Sequence, residues 1–142
     1  MSITSANSVF TVVVPGLFPV PVQLVGYSSD RAFTTDALDI AETQMGVDGR
    51  MTAGFVFNPV KQTITLQADS PSKSFFATLA AAMKTARDVY YINATIDLPG
   101  AGESYAMTRG VLTSLKQIPD AQKVFQPVDY VITWEAVNRT II

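Results

Sequence analysis

The chain has 142 residues, 48% of them hydrophobic, only 15% charged, and a net charge of −2. It contains no cysteine and no histidine, which excludes disulfides, thiolate zinc sites, cysteine nucleophiles and Ser-His-Asp relays. The small net charge and the absence of any basic run argue against gripping nucleic acid through phosphate neutralisation.

The length implies a single domain over residues 1–142, able to bury roughly 68–70% of its unfolded surface. Charge well below the usual ~25% suggests a surface partly covered by other subunits; a Ser/Thr/Gln-rich free surface is the plainer reading. Residues 1–8 are small and polar and predict a loose N-terminal arm. This stretch lacks the positive start and apolar core of a signal peptide, and no apolar run approaches ~18 residues. The expectation is a protein that stays in the cytoplasm where it is made, without membrane insertion.

Val9 to Val14 reads as a strand stopped by Pro15-Gly16. Phe18 to Val25 reads as a second, with Phe18, Val20, Val22 and Leu24 on one face. Pro19 and Pro21 cannot donate ladder hydrogen bonds, so it belongs at an edge or bulge. Leu38 and Ile40, alternating with Asp39 and Ala41, predict a short strand. Gly46-Val47-Asp48-Gly49 is a tight turn. Met51, Ala53, Phe55 and Phe57 share a side of the next strand, which Asn58-Pro59 breaks. Ile64 and Leu66 mark the strand before the one helical stretch.

That helix enters through Ser70-Pro71-Ser72, two candidate caps around a first-turn proline. Phe75, Leu79, Met83 and Ala86 recur at helical spacing, flanked by Phe76 and Ala80, with Lys73, Lys84 and Arg87 off the face. Ile92, Ala94, Ile96 and Leu98 then alternate with polar residues, Pro99 to Gly102 turns, and Ser104 to Ser114 returns. In the last strand Val128, Tyr130, Ile132, Trp134 and Ala136 oppose Asp129, Val131, Thr133, Glu135 and Val137. Such alternation marks half-buried antiparallel strands. The fold class is mainly β (α+β), an antiparallel sandwich or barrel with one flanking helix.

Carboxylates are the only acid-base material. Asp129 and Glu135 lie six residues apart on an extended strand, so roughly 20 Å separates their backbones, too far for a glycosidase pair. The glycine-rich turns lack phosphate-loop spacing and lysine, and no calcium-loop pattern occurs. No catalytic, cofactor or metal site is expected. Ser104, Ala106, Thr108 and Gly110 form a small-residue face, and the paired Ile141 and Ile142 suggest a docked terminus.

Gly46-Val47-Asp48-Gly49-Arg50, Thr63-Ile64-Thr65-Leu66, Ser70-Pro71-Ser72 with the following helix, Ile96-Asp97-Leu98-Pro99, and Phe125 to Tyr130 with Trp134-Glu135 resemble the tail tube proteins of contractile-tailed bacteriophages. The resemblance spans roughly residues 36–137. It implies a structural virion protein that catalyses nothing and forms hexameric rings stacked into the inner tube for genome ejection. Partners would be further copies, the sheath, the tape-measure protein and the baseplate, with DNA as transient lumen cargo; the location would be the virion tail, assembled in the host cytoplasm. On this reading Asp36, Asp39, Gly46, Asp48, Arg50, Ile141 and Ile142 belong to subunit interfaces. Ser104, Thr108, Asp129 and Glu135 would face the lumen. The alternatives are a monomeric ligand-binding β module, a carboxylate hydrolase, or a baseplate or terminator relative of the tube.

Overall fold

The computed structural model describes residues 8–24, 33–116, 118 and 121–141. In chain order the elements are β1 (Val9–Val14), β2 (Phe18–Leu24), β3 (Phe33–Thr35), β4 (Ala41–Met45), β5 (Met51–Phe55), β6 (Val60–Leu66), α1 (Lys73–Ala86), β7 (Ile92–Leu98), β8 (Glu103–Leu115), β9 (Val128–Trp134) and β10 (Ala136–Ile141). This is a mainly antiparallel β protein with one helix, as the alternation predicts. Eight strands form one sheet in the order β2-β1-β7-β8-β9-β6-β3, with β10 also on β8, while β4 and β5 pair only with each other.

β9 and β10 act as one bent strand. Val111 faces Thr133 and Thr108 faces Ala136 in the same running register, and the Glu135 N–H bridges the break by donating to the Thr108 carbonyl at 3.2 Å. The bend has a cause on the opposite strand. Arg109 sits at φ +48°, a left-handed conformation rare for residues with a β-carbon and worth about 1–3 kcal/mol of strain. The extra residue shifts the alternation, so Met107, Gly110 and Leu112 are buried in β8 while Thr108 and Arg109 are exposed. The small face expected from Ser104 to Gly110 is therefore broken. Ser104, Ala106 and Thr108 stay outside, and Gly110 turns inward beneath Trp134.

Period-2 alternation places Phe10, Val12 and Val14 of β1, Ile92, Ala94 and Ile96 of β7, and Val128, Tyr130, Ile132 and Trp134 of β9 in one core. The sheet curls until its ends meet: Phe10 of β1 and Phe33 of β3 pack edge to face at 5.7 Å. Trp134 is fully buried and donates its indole N–H to the Gln62 side-chain carbonyl at 3.0 Å. Gln62 is itself buried, so each group satisfies a partner that would otherwise cost about 1–3 kcal/mol.

α1 closes one flank. Phe75, Phe76 and Leu79 are buried, each contributing about 1.5–3 kcal/mol by area removed from water. Phe76 stacks on Tyr130 at 4.2 Å and Phe75 meets Phe18 at 4.8 Å, so the helix spans from β9 to β2. Ser70 accepts the Ser72 N–H at 3.2 Å, whereas Ser72, the capping residue by position, makes no side-chain cap. Arg87 ends the helix in the left-handed conformation, its N–H on the Met83 carbonyl.

Several local expectations are corrected. Ala86 is exposed because the helix leaves the sheet in its last turn. Val20 is 72% exposed, since β2 is an edge strand that is not covered at its centre. Residues 36–40 form no strand, and Leu38 and Ile40 are exposed. Phe57 lies beyond the end of β5. Of the expected arm at residues 1–8, only Ser8 lies within the described residues, and it is buried.

Candidate assembly surfaces

The β4–β5 hairpin is built by its turn. The Asp48 carboxylate accepts the Arg50 N–H at 3.1 Å, the Gly46 N–H donates to the Arg50 carbonyl at 2.7 Å, and the Gly49 N–H donates to the Gly46 carbonyl at 3.0 Å. Gly49 occupies φ +84°, where a side chain would be strained. At the base the Val56 N–H donates to the Ile40 carbonyl, and the Asn58 amide to the Asp39 carbonyl at 2.8 Å.

Every residue of β4 and β5 is exposed, including Met45, Met51 and Phe55. Val47 at the tip and Phe57 at the base are almost wholly in solvent, and Phe55 and Phe57 pack on each other at 4.9 Å. A lone two-stranded ribbon is marginal in water, and clustered exposed apolar groups mark an interaction site.

Gly46, Asp48 and Arg50 thus sit together in the tip turn. Asp36 and Asp39 precede the hairpin instead: the Asp36 N–H bonds to the Lys61 carbonyl at 2.9 Å beside β6. Ile141 ends β10, exposed and opposite Glu103, in the large sheet to which the hairpin does not pair. Ile142 lies outside the described residues.

Ser104, Thr108, Asp129 and Glu135 all point away from the core. Ser104 donates to the Asp97 carboxylate at 2.6 Å, and Thr65 donates to the Asp129 carboxylate at 2.7 Å. Glu135 pairs with Arg109 at 3.2 Å, whose guanidinium lies 4.5 Å over the Tyr91 ring. The Asn93 side chain accepts the Arg109 N–H at 3.2 Å, so three partners, Glu135, Tyr91 and Asn93, hold the strained residue. Around them the outward face is small and hydroxylated, with Thr113 and Thr133 sharing a hydrogen bond. The sequence gives no sign of the Arg109 cluster, because nothing local marks an arginine for a positive φ.

At the free end of β8, Glu103 accepts from Arg139 of β10 at 2.7 Å and from the Tyr105 hydroxyl. The Arg139 bond first, then that of Tyr105, holds the Glu103 carboxyl below its ordinary value of 4.5. Tyr105 is raised in turn by the same carboxylate. Among the described residues β10 pairs only with β8, and beside it an apolar cavity of about 260 Å³ opens between Phe33, Leu98, Tyr105 and Val137. Among the described residues no cluster of acidic side chains could hold a metal ion, and no helix is long and apolar enough to cross a membrane.

A family model described as tail fiber protein gp32 matches residues 1–138. No curated protein sequence is a significant match. Among solved structures, the anti-feeding prophage cap, a tube terminating cap, aligns at a TM-score of 0.65 and 15% identity over 100% of this chain and 93% of that one. A chain of the PVC sheath-tube complex of an extracellular contractile injection system aligns at 0.62 and 14%, over 94% and 88%. A chain of the anti-feeding prophage baseplate aligns at 0.63 and 6%, over 99% and 96%. At these identities the likeness is one of fold: the chain has the fold shared by tube, cap and baseplate subunits of contractile injection systems.

Proposed function

The chain belongs to the tail fiber protein gp32 family, and from that premise we propose that it is a tail tube subunit. In this reading it forms hexameric rings that stack into the inner tube of a bacteriophage contractile tail, through which the genome is ejected. Its fold supports a structural role in the tail; the tube assignment is supported above all by the β4–β5 hairpin, exposed on every residue and apolar in much of its length. Such a ribbon has no purpose on a free monomer and costs solubility. The tip residues Gly46, Asp48 and Arg50, with Asp36 and Asp39 behind them, form the stacking surface. Ile141 and Ile142 belong to a lateral contact along β10, whose outer edge is open to a neighbouring chain.

Ser104, Thr108, Asp129 and Glu135 line the lumen. Their face is small, hydroxylated and weakly acidic, so phosphates slide past without being held. On this reading the protein is not an enzyme: Asp97, Asp129, Glu103 and Glu135 are engaged by hydroxyls or arginine. Sheath, tape-measure protein and baseplate are its further partners, in the virion tail assembled in the host cytoplasm.

The likeness to a tube terminating cap favours one second reading, a subunit that ends the tube as a single ring. Electron microscopy of the purified chain separates the two. Tubes are expected for the subunit and isolated rings for a terminator, while monomers at every concentration overturn both. Charge reversal at Asp48 is expected to stop stacking, and at Asp129 to impair ejection; if both variants assemble and infect normally, the surface assignments fail.

A further inference from the structure

A groove of about 460 Å³ runs between α1 and the sheet, beside the end of β8. Its floor is small, with Ala77 and Ala81 on the helix and Leu115 on the sheet wall, and Lys73, Lys84 and Lys116 stand around it. Among the described residues no carboxylate lines it. Lys73 and Lys84 are eleven residues apart on one helix face, so they mark ends about 16 Å from each other. The Lys73 ammonium is fixed at its end by donating to the Ala68 carbonyl at 2.9 Å. From 73 to 87 the chain carries three cations and no acid.

The complementary surface lies on the same chain. Residues 36–50 hold Asp36, Asp39, Glu42 and Asp48 against Arg50 alone, four negative and one positive, net −3. Between those acids Leu38, Ile40, Met45 and Val47 are exposed. An acidic segment bearing large apolar side chains fits a lysine-ended groove with an alanine floor, where methyl-sized residues leave room. Within one molecule the two do not meet, since the hairpin is exposed throughout and none of its residues lines the groove.

We propose that the α1 groove is the docking site for the acidic segment 36–50 of a second copy of this chain. The contact joins two different surfaces, so it is heterologous and propagates from copy to copy, closing into rings or extending into a filament. It rests on the self-assembly reading above and names the receiving surface. A duplex is the poorer occupant. DNA presents a charge every ~1.7 Å of axis, whereas this groove offers cations at its margins and an apolar floor between them.

Reversing each side separately tests it. One chain carries Lys73→Glu and Lys84→Glu, the other Asp39→Lys and Glu42→Lys, and matching melting curves verify the fold. Lys84→Glu alone, which keeps the Lys73 bond to Ala68, is the second groove variant. Each reversed chain alone is expected to need at least about tenfold higher concentration to self-associate, because like charges now face one another. Mixed in equal amounts they are expected to co-assemble near the unmodified midpoint, read by sedimentation velocity and electron microscopy. The inference is overturned if a reversed chain assembles like the unmodified one, or if the mixture is no better than its parts. Groove reversal that leaves assembly intact and instead abolishes retention of a duplex would assign the groove to nucleic acid and also overturn it. An unmodified chain that never assembles sinks the self-assembly reading itself, a separate result from assembly that ignores these charges.

Discussion

Gly110 is the residue that lets β8 pass closely beneath Trp134. A β-carbon there would stand 2.3 Å from Cε3 of Trp134 and 2.9 Å from Ile132, and Trp134 is fully buried with its N–H committed to Gln62. The ring cannot retreat without breaking that bond. Gly110→Ala is therefore expected to cost about 3 kcal/mol or more, by overpacking together with loss of the indole hydrogen bond. Chemical denaturation measures it, and a midpoint within error of the unmodified chain would refute the close packing. Glu103 is expected to contribute an acid response in the same sheet. Its folded pKa is depressed below 4.5 by Arg139 and then Tyr105, so the folded chain binds fewer protons than the unfolded one there. Its contribution is present above the unfolded value and is lost as pH falls through the folded value. The protection factors of the β10 amides, with exchange corrected for its intrinsic pH dependence, should fall below that range, and Glu103→Gln should flatten the response; equal acid sensitivity in both would exclude this cluster as its source.

At the scale of elements, the hairpin and the helix differ in what they are for. α1 buries Phe75, Phe76 and Leu79 against the sheet, so it belongs to the stability of the chain. β4 and β5 bury nothing within it. Their ends already meet through the Val56–Ile40 hydrogen bond, so replacing residues 41–55 by a two-residue turn should leave the melting temperature within a few degrees. The same deletion should abolish self-assembly. A large loss of thermal stability would mean that the hairpin packs on its own chain after all. Periodicity made the helix legible through Phe75 and Leu79, and the last strand through Val128 to Trp134. Periodicity could not tell Phe55 or Ile40, which face solvent, from Ile64 or Ile132, which face the core. An apolar residue at alternate positions reports a strand face, not whether this chain covers it.

For the whole molecule, β8 holds the two halves of the sheet together, with β7 on one side and the β9–β10 strand on the other. We expect residues 1–142 to unfold as one domain, in a single calorimetric transition whose van't Hoff and calorimetric enthalpies agree. Two resolved transitions would divide the chain at the β8 bend. The molecule thus presents two kinds of surface, an outward wall with hydroxyls such as Thr113 and Thr133 and an exposed apolar hairpin.

The amino-acid sequence by itself determined the mainly β class, the position of α1, the tight turn at 46–49 and the absence of thiol and imidazole chemistry. These follow from neighbours along the chain, where spacing and turn residues act directly. Tertiary structure alone decided that β9 and β10 run as one bent strand. It also decided that Arg109 takes a left-handed turn held by Tyr91, Asn93 and Glu135, and that three lysines gather around one groove. Each of these depends on register between segments distant in sequence, and no local pattern carries that register.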